Sequence, residues 1–216
     1  MAARRDLLAA MPRVLDPEGK SYFLVPRDMG GPDLRRAVLD TYVANAGGGY
    51  PGGDFPVTPF SPDEIARVEA RQTANRWTYN RVAGWAMAHG AALATTPNGM
   101  LMGMGGNPLA RAWSQQGGTT WGDLFLINVG RGVDPTDALT ATIVGGAPVY
   151  RRKATLYRGD LPLDLLLHHE EIHARQWARY GRARFAAAYL REQARAARTG
   201  TANRYEVEAG LADGGY

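Results

Sequence analysis

The chain has 216 residues, 45% of them hydrophobic and 21% charged, a balance that supports a sizeable buried core and excludes wholesale disorder. Cysteine is absent, which excludes a disulfide framework, a thiolate metal site and a cysteine nucleophile. The net charge of +4 is too small to imply a nucleic-acid partner by itself, and no apolar stretch is long enough to cross a bilayer.

Residues 1–12 carry a basic pair and a short apolar run that Pro12, Arg13 and Asp16 bring to an end. No secretory signal is expected, so the expected location is cytoplasmic, with export by another route left open. The first sixty residues read as an irregular arm with one helix, over residues 32–46. There Leu34, Val38, Leu39, Tyr42 and Val43 recur at helical spacing between Pro32 and Gly47. Residues 47–56 follow as a glycine- and proline-rich loop. Ser61-Pro62-Asp63-Glu64 combines an N-cap, a proline at the first helical position and acids in the first turn, and predicts a helix to about residue 89.

Thr95-Thr96-Pro97-Asn98-Gly99 sets a turn between two short apolar segments, a hairpin signal. Residues 119–127 read as one strand; residues 128–160 are ambiguous, with 141–150 and 154–157 as candidate short strands. From Leu161 onward the pattern is helical. Helices are expected over residues 162–180 and 183–198, bracketed by Gly181 and Gly200, with a short helix opening at Asn203. These elements predict an α+β fold of helices around a small sheet. The expected organisation is an arm over residues 1–60 and a domain over residues 61–216, or one domain throughout.

Several chemistries fall away by elimination. Ser21, Ser61 and Ser114 are the only serines, and none sits in a nucleophile elbow. No phosphate-binding loop pattern occurs. Gly103-Met104-Gly105-Gly106 and Gly130-Arg131-Gly132 lack the strand–helix context of a dinucleotide loop and read as turns.

His169-Glu170-Glu171-Ile172-His173 is different, because it lies on a predicted helix. Histidines at i and i+4 share one helix face, so both imidazoles can bind one zinc ion. Glu170, beside the first, can reach a zinc-activated water, take its proton and return it to a leaving amine. The plain alternative is an amphipathic helix with two solvated or core-edge histidines. His168 is out of register, and His89 reads as a helix-end residue.

A two-histidine site needs a third ligand. Glu206 is the favoured candidate and Glu208 the alternative; two residues apart on a helix, they cannot face the same point. Competing with this, Glu206 stands three residues after Asn203, the spacing of a capping box in which it would fold back onto the backbone. Asp213 shares the helix face of Glu206, and Gln176 that of the two histidines. Trp177, Phe185 and Tyr189 are spaced to pack between two helices, and Tyr180 and Tyr205 are the candidate oxyanion donors.

His169-Glu-Glu-Ile-His-Ala-Arg-Gln-Trp177, followed by Tyr205-Glu-Val-Glu-Ala209, resembles the gluzincin metallopeptidases. It is most similar to the small bacterial minigluzincins, with a His-Glu-x-x-His-x-x-Gln helix and a downstream Glu-x-x-Ala element. The resemblance implies a zincin-like fold, zinc held by His169, His173 and Glu206, Glu170 as general base and acid, and hydrolysis of a peptide or protein substrate. It extends to residues 118–125, similar to the strand that such folds set over the active-site cleft. At one place the pattern departs. Related chains carry, four residues after the ligand glutamate, an aspartate bonded to the first histidine; here that position is Gly210, and Asp213 is the nearest substitute.

Two alternatives stand beside this reading. One is a pseudopeptidase that keeps the fold without cleaving. The other is a binding module that uses the basic run Arg175, Arg179, Arg182, Arg184, Arg191, Arg195 and Arg198, opposed by Glu192, with zinc structural or absent. The run lacks interleaved aromatics, so a solvated face is expected and specific nucleic-acid binding is not.

Overall fold

The structure, a computed structural model, describes residues 6–45, 61–105, 118–129, 132–152 and 155–210. The fold is α+β. Six strands form one mixed sheet: β1 (Arg13–Leu15), β2 (Ser21–Leu24), β3 (Ala92–Thr95), β4 (Leu101–Met104), β5 (Gly118–Trp121) and β6 (Leu124–Ile127), in the order β1-β2-β3-β4-β6-β5. Neighbours are antiparallel except β4 and β6, which run parallel with Leu101 opposite Leu124. A separate hairpin pairs β7 (Val149–Arg152) with β8 (Thr155–Arg158).

Where the sequence suggested an irregular arm, the described residues 6–45 hold regular elements besides the expected helix. Residues 13–24 form the β1–β2 hairpin and extend the sheet, and α1 (Gly31–Ala44) packs on one of its faces. Ser21-Tyr22-Phe23-Leu24 is too short a run to announce itself as a strand, yet Tyr22 is fully buried in the main core. On α1 the stripe of Leu34, Val38 and Tyr42 faces inward as expected, while Val43 is exposed. The loop expected over residues 47–56 lies outside the described residues.

The turn at residues 96–100 joins β3 to β4 as the Pro-Asn-Gly pattern predicts, with Gly99 at a φ of +73°. Residues 119–127 are not one strand. The chain reverses at Gly122-Asp123, between β5 and β6, and Gly122 takes a φ of +64°. A two-residue Gly-Asp loop is a hairpin turn, and the apolar run on its far side hid it.

On β4 and β6 successive side chains enter opposite cores, because strand side chains alternate. Met102, Met104, Phe125 and Ile127 meet one set of helices; Leu101, Leu124 and Leu126 meet the other. Burial of both faces accounts for strands that read as continuous apolar runs.

Helix α2 (Pro62–Ala74) starts as predicted, with the Ser61 hydroxyl accepting from the Glu64 amide at 3.1 Å. It does not run on to residue 89. It stops at Asn75, whose buried amide donates to Asp123 and to the Ala174 carbonyl, both at 2.9 Å. A π-helical turn (Thr78–Val82) and α3 (Ala83–Ala88) follow.

The strand expected from residue 141 is instead the second half of α4 (Pro135–Gly145). Asp134 caps it by accepting from the Thr136 and Asp137 amides, Pro135 opens it, and Gly146 ends it in the left-handed region. Its β-branched residues mimic a strand, but Ala138, Leu139, Thr142 and Ile143 form a buried helical face.

Three helices complete the described chain: α5 (Leu163–Tyr180), α6 (Arg182–Thr199) and α7 (Arg204–Ala209). Their positions follow the expected pattern closely. Leu163, Leu166 and Leu167 anchor the start of α5 in the main core, and Trp177 joins its end to Phe185 of α6 and Tyr205 of α7. Among the described residues, no helix is long and apolar enough to cross a membrane.

Candidate metal centre

The helical repeat of α5 puts His169 and His173 on one buried face, with rings 4.7 Å apart between centroids. Gly181 and Gly200, at positive φ, bracket α6 and turn the chain back, so that α7 lies along α5. Asn203 caps α7 by accepting from the Tyr205 amide at 2.9 Å. Glu206 is therefore not drawn back to the helix start, and its buried side chain faces the two histidines.

The three candidate ligand atoms form a nearly equilateral triangle. His169 Nε2 and His173 Nε2 are 3.0 Å apart, and Glu206 Oε2 lies 3.3 Å from the first and 3.2 Å from the second. Among the described residues, this is the group of histidines and carboxylates that could hold a metal ion. Ligands about 2.0–2.1 Å from a tetrahedral metal lie about 3.3 Å from one another, so the triangle has the size of one face of a zinc tetrahedron.

Hydrogen bonds on the far side of each ring fix the tautomers. His169 Nδ1 lies 3.0 Å from the Gly210 carbonyl, which can only accept, so Nδ1 carries a proton. His173 Nδ1 lies 2.9 Å from Gln176 Oε1. The Gln176 amide nitrogen donates to the Tyr205 carbonyl and to Glu208 Oε2, both at 3.1 Å, so Oε1 is an acceptor and His173 Nδ1 is also a donor. With Nδ1 so committed, Nε2 is the atom that each ring turns toward the other ring and toward a carboxylate oxygen. Three converging acceptors repel one another unless a cation sits among them, either a proton or a metal ion.

The electrostatics reflect that demand. Burial disfavours charge on His173, but the Glu206 and Glu170 carboxylates outweigh it and raise its pKa to about 9. Burial acts to raise the Glu206 pKa, and the two imidazoles and the Tyr189 hydroxyl pull it far below the usual carboxylate range instead.

Glu170 lies at the sheet edge. The Thr120 hydroxyl of β5 donates to its Oε2 at 2.5 Å, and Trp177 Nε1 donates to the Thr120 carbonyl at 3.0 Å, which binds α5 to that strand. Burial raises the Glu170 pKa, opposed by His173 and His169.

The expected site residues divide clearly. His169, His173 and Glu206 meet, Gln176 supports His173, and Glu170 lies next along the helix. Glu208 is exposed and turned to Gln176, away from the triangle. Asp213 lies outside the described residues; the acceptor sought for His169 is the backbone carbonyl of Gly210, the position where the aspartate was missed. His168 is outside the triangle, and His89 caps the end of α3. Tyr180 and Tyr205 belong to the aromatic cluster with Phe185, and the Tyr205 hydroxyl accepts from Arg204 at 2.7 Å.

Contacts of Tyr189 and Glu171 are among those that escaped sequence reasoning. Tyr189, expected only to pack, also donates its hydroxyl to Glu206 Oε1. Glu171, between the histidines in sequence, is held by Arg71, Arg67 and Arg175, each at 2.9 Å, and Arg71 also meets Asp123 at 3.1 Å. An arginine four residues before a buried asparagine on α2 was the available signal, but nothing in the sequence linked it to α5. Of the basic run, Arg175 and Arg195 are paired with Glu171 and Glu192, and Arg182 stacks over Trp77 at 5.2 Å.

No protein-family model matches the chain, and neither a curated protein nor a solved structure matches it significantly.

Proposed function

We propose that the chain is a zinc-dependent metallopeptidase of zincin-like architecture, with His169, His173 and Glu206 holding the metal. The observation that carries this reading is the triangle of three inward-facing acceptor atoms, 3.0–3.3 Å apart, with Glu170 on the adjoining position. When bound, zinc supplies a Lewis acid that acidifies a water and polarises a peptide carbonyl. The chain's own residues do the rest. Glu170 takes the proton of the attacking water and hands it to the leaving amine, and its raised pKa suits both roles. Thr120 orients its carboxylate, and Gly210 and Gln176 hold the imidazoles in the tautomers that bind metal. β5 is the terminal strand of the sheet and borders α5, where an extended substrate would lie.

A basic binding module has less support, because Arg175, Arg182 and Arg195 are already engaged within the chain. Metal analysis tests the first step: protein dialysed against zinc and then against buffer is expected to retain about one ion per chain. Protein that stays zinc-free overturns the proposal. Cleavage of a mixed peptide pool tests the second. Glu170→Gln is expected to keep the metal and lose cleavage at least 100-fold, the scale of a general base; equal cleavage by this variant removes Glu170 from the mechanism.

A further inference from the structure

We infer that Tyr189 restricts Glu206 to offering one oxygen to a metal, and so keeps a coordination position open. The inference rests on the metal site proposed above and adds a residue to it. The two oxygens of Glu206 face different partners. Oε2 lies 3.2 Å from His173 Nε2 and 3.3 Å from His169 Nε2, whereas Oε1 accepts the Tyr189 hydroxyl. A hydroxyl bonded to an ionised carboxylate is among the stronger hydrogen bonds, and an oxygen so occupied is a poor second ligand.

Tyr189 is also fixed where it stands. Its ring lies edge-on to His173, with centroids 6.3 Å apart, and against Phe185 and Tyr205 at 5.9 and 6.1 Å. Moving the ring away from Glu206 would disturb its contacts with the aromatic cluster that joins α5, α6 and α7. A carboxylate free of that bond can turn to present both oxygens, which fills the position that a water or a substrate carbonyl needs. Tyr189 is thus a positioning residue that acts through Glu206.

Cobalt(II) is a suitable probe, because its visible absorption is strong when four-coordinate and weaker when a fifth ligand joins. Full-length wild type, Tyr189→Phe and Glu206→Ala are titrated with cobalt chloride and their spectra recorded per bound ion. Wild type is expected to give the strong four-coordinate band. Tyr189→Phe keeps the ring and its packing; it is expected to bind cobalt about 10–100-fold more weakly and with a lower band intensity per ion. Wild-type affinity and spectrum in Tyr189→Phe overturn the inference. So does a weakened affinity with an unchanged spectrum, or a Tyr189→Phe chain that fails to fold, since either makes the hydroxyl merely structural. Wild type that takes up no cobalt overturns the proposed metal site together with this inference. Loss of cobalt by Glu206→Ala, with Tyr189→Phe unchanged, overturns this inference alone.

Discussion

Each histidine of the pair on α5 has its Nδ1 proton committed to an oxygen, so that Nε2 is the atom turned toward the other ring and Glu206. That arrangement separates this pair from two histidines that merely share a helix face. The two glutamates of α7 face different partners. Glu206 Oε2 completes the triangle, whereas Glu208 only accepts from the Gln176 amide. Removal of a ligand is expected to weaken zinc binding far more than removal of a neighbour. In a competition titration Glu206→Ala is expected to lose at least 100-fold in affinity, and Glu208→Ala about 10-fold or less, the lower end of the range for supporting groups. The reverse order would move the third ligand to Glu208. At this scale the sequence was most informative about side chains with a fixed spacing. It carried no sign of the Gly210 carbonyl, because any residue has a backbone oxygen and only the fold says where it points. The Thr120 and Tyr189 hydroxyls were hidden for a related reason: they reach the site from other elements, at sequence separations of 50 and 17.

How α5 is held matters as much as what it carries. Opposite the site, Glu171 sits among Arg67, Arg71 and Arg175; burial alone would raise its pKa, but the three guanidinium groups hold it down to about 2. Arg71 joins that carboxylate to Asp123 at the β5–β6 turn and donates to the Gly99 carbonyl at the β3–β4 turn, at 2.5 Å. Tyr79 donates to Asp123 at 2.7 Å, and Asn75 bridges the same aspartate to α5. Two hairpin turns and two helices therefore meet at one buried charge network. Breaking such a network on one side strands a charge, so Arg71→Met is expected to destabilise the fold by about 3–5 kcal/mol. Denaturant unfolding measures this, and a loss below about 1 kcal/mol would show that the network contributes little.

The first turn of α5 gives a separate test through pH. Burial raises the Asp164 pKa to about 6, against the opposing pull of Lys20. The folded state then retains a proton that the unfolded chain has released above its ordinary value of 3.8. Asp164 therefore favours folding fully below that value and loses its contribution as pH rises through about 6. The stability of wild type relative to Asp164→Asn is expected to fall between pH 4 and 6.5 and to level off above, roughly the window these values set. A flat difference would reject the shift. Elements were legible where caps and periodicity agreed, as in α1, the start of α2 and the three C-terminal helices. They were misread where burial on both sides erased alternation, as in β6, or where β-branched residues stood on a helix, as in α4.

At the scale of the whole molecule, the candidate ligands come from two helices held together by a third. α5 is rooted in the main core through Leu163, Leu166 and Leu167, while α7 is attached by Tyr205 to a smaller aromatic cluster with Trp177 and Phe185. Only six residues long, α7 cannot hold itself as a helix; it depends on that cluster, on its Asn203 cap and on Glu206 facing the histidines. Without metal, the histidine–glutamate contact requires a proton on one imidazole, and with His173 raised to about 9 the proton is present at neutral pH. A metal that replaces it would bind both imidazoles and the carboxylate at once, so its binding free energy adds directly to the attachment of α7. Zinc held at 100 times its dissociation constant is expected to raise unfolding stability by about 2.7 kcal/mol. The local effect is the more discriminating one. Amide hydrogen exchange along α7 is expected to slow on zinc addition more than exchange along β3 and β4, which the sheet already protects on both faces. Glu206→Ala should abolish the difference between the two regions. Uniform slowing throughout the chain, or none in α7, would place the metal away from the α5–α7 contact.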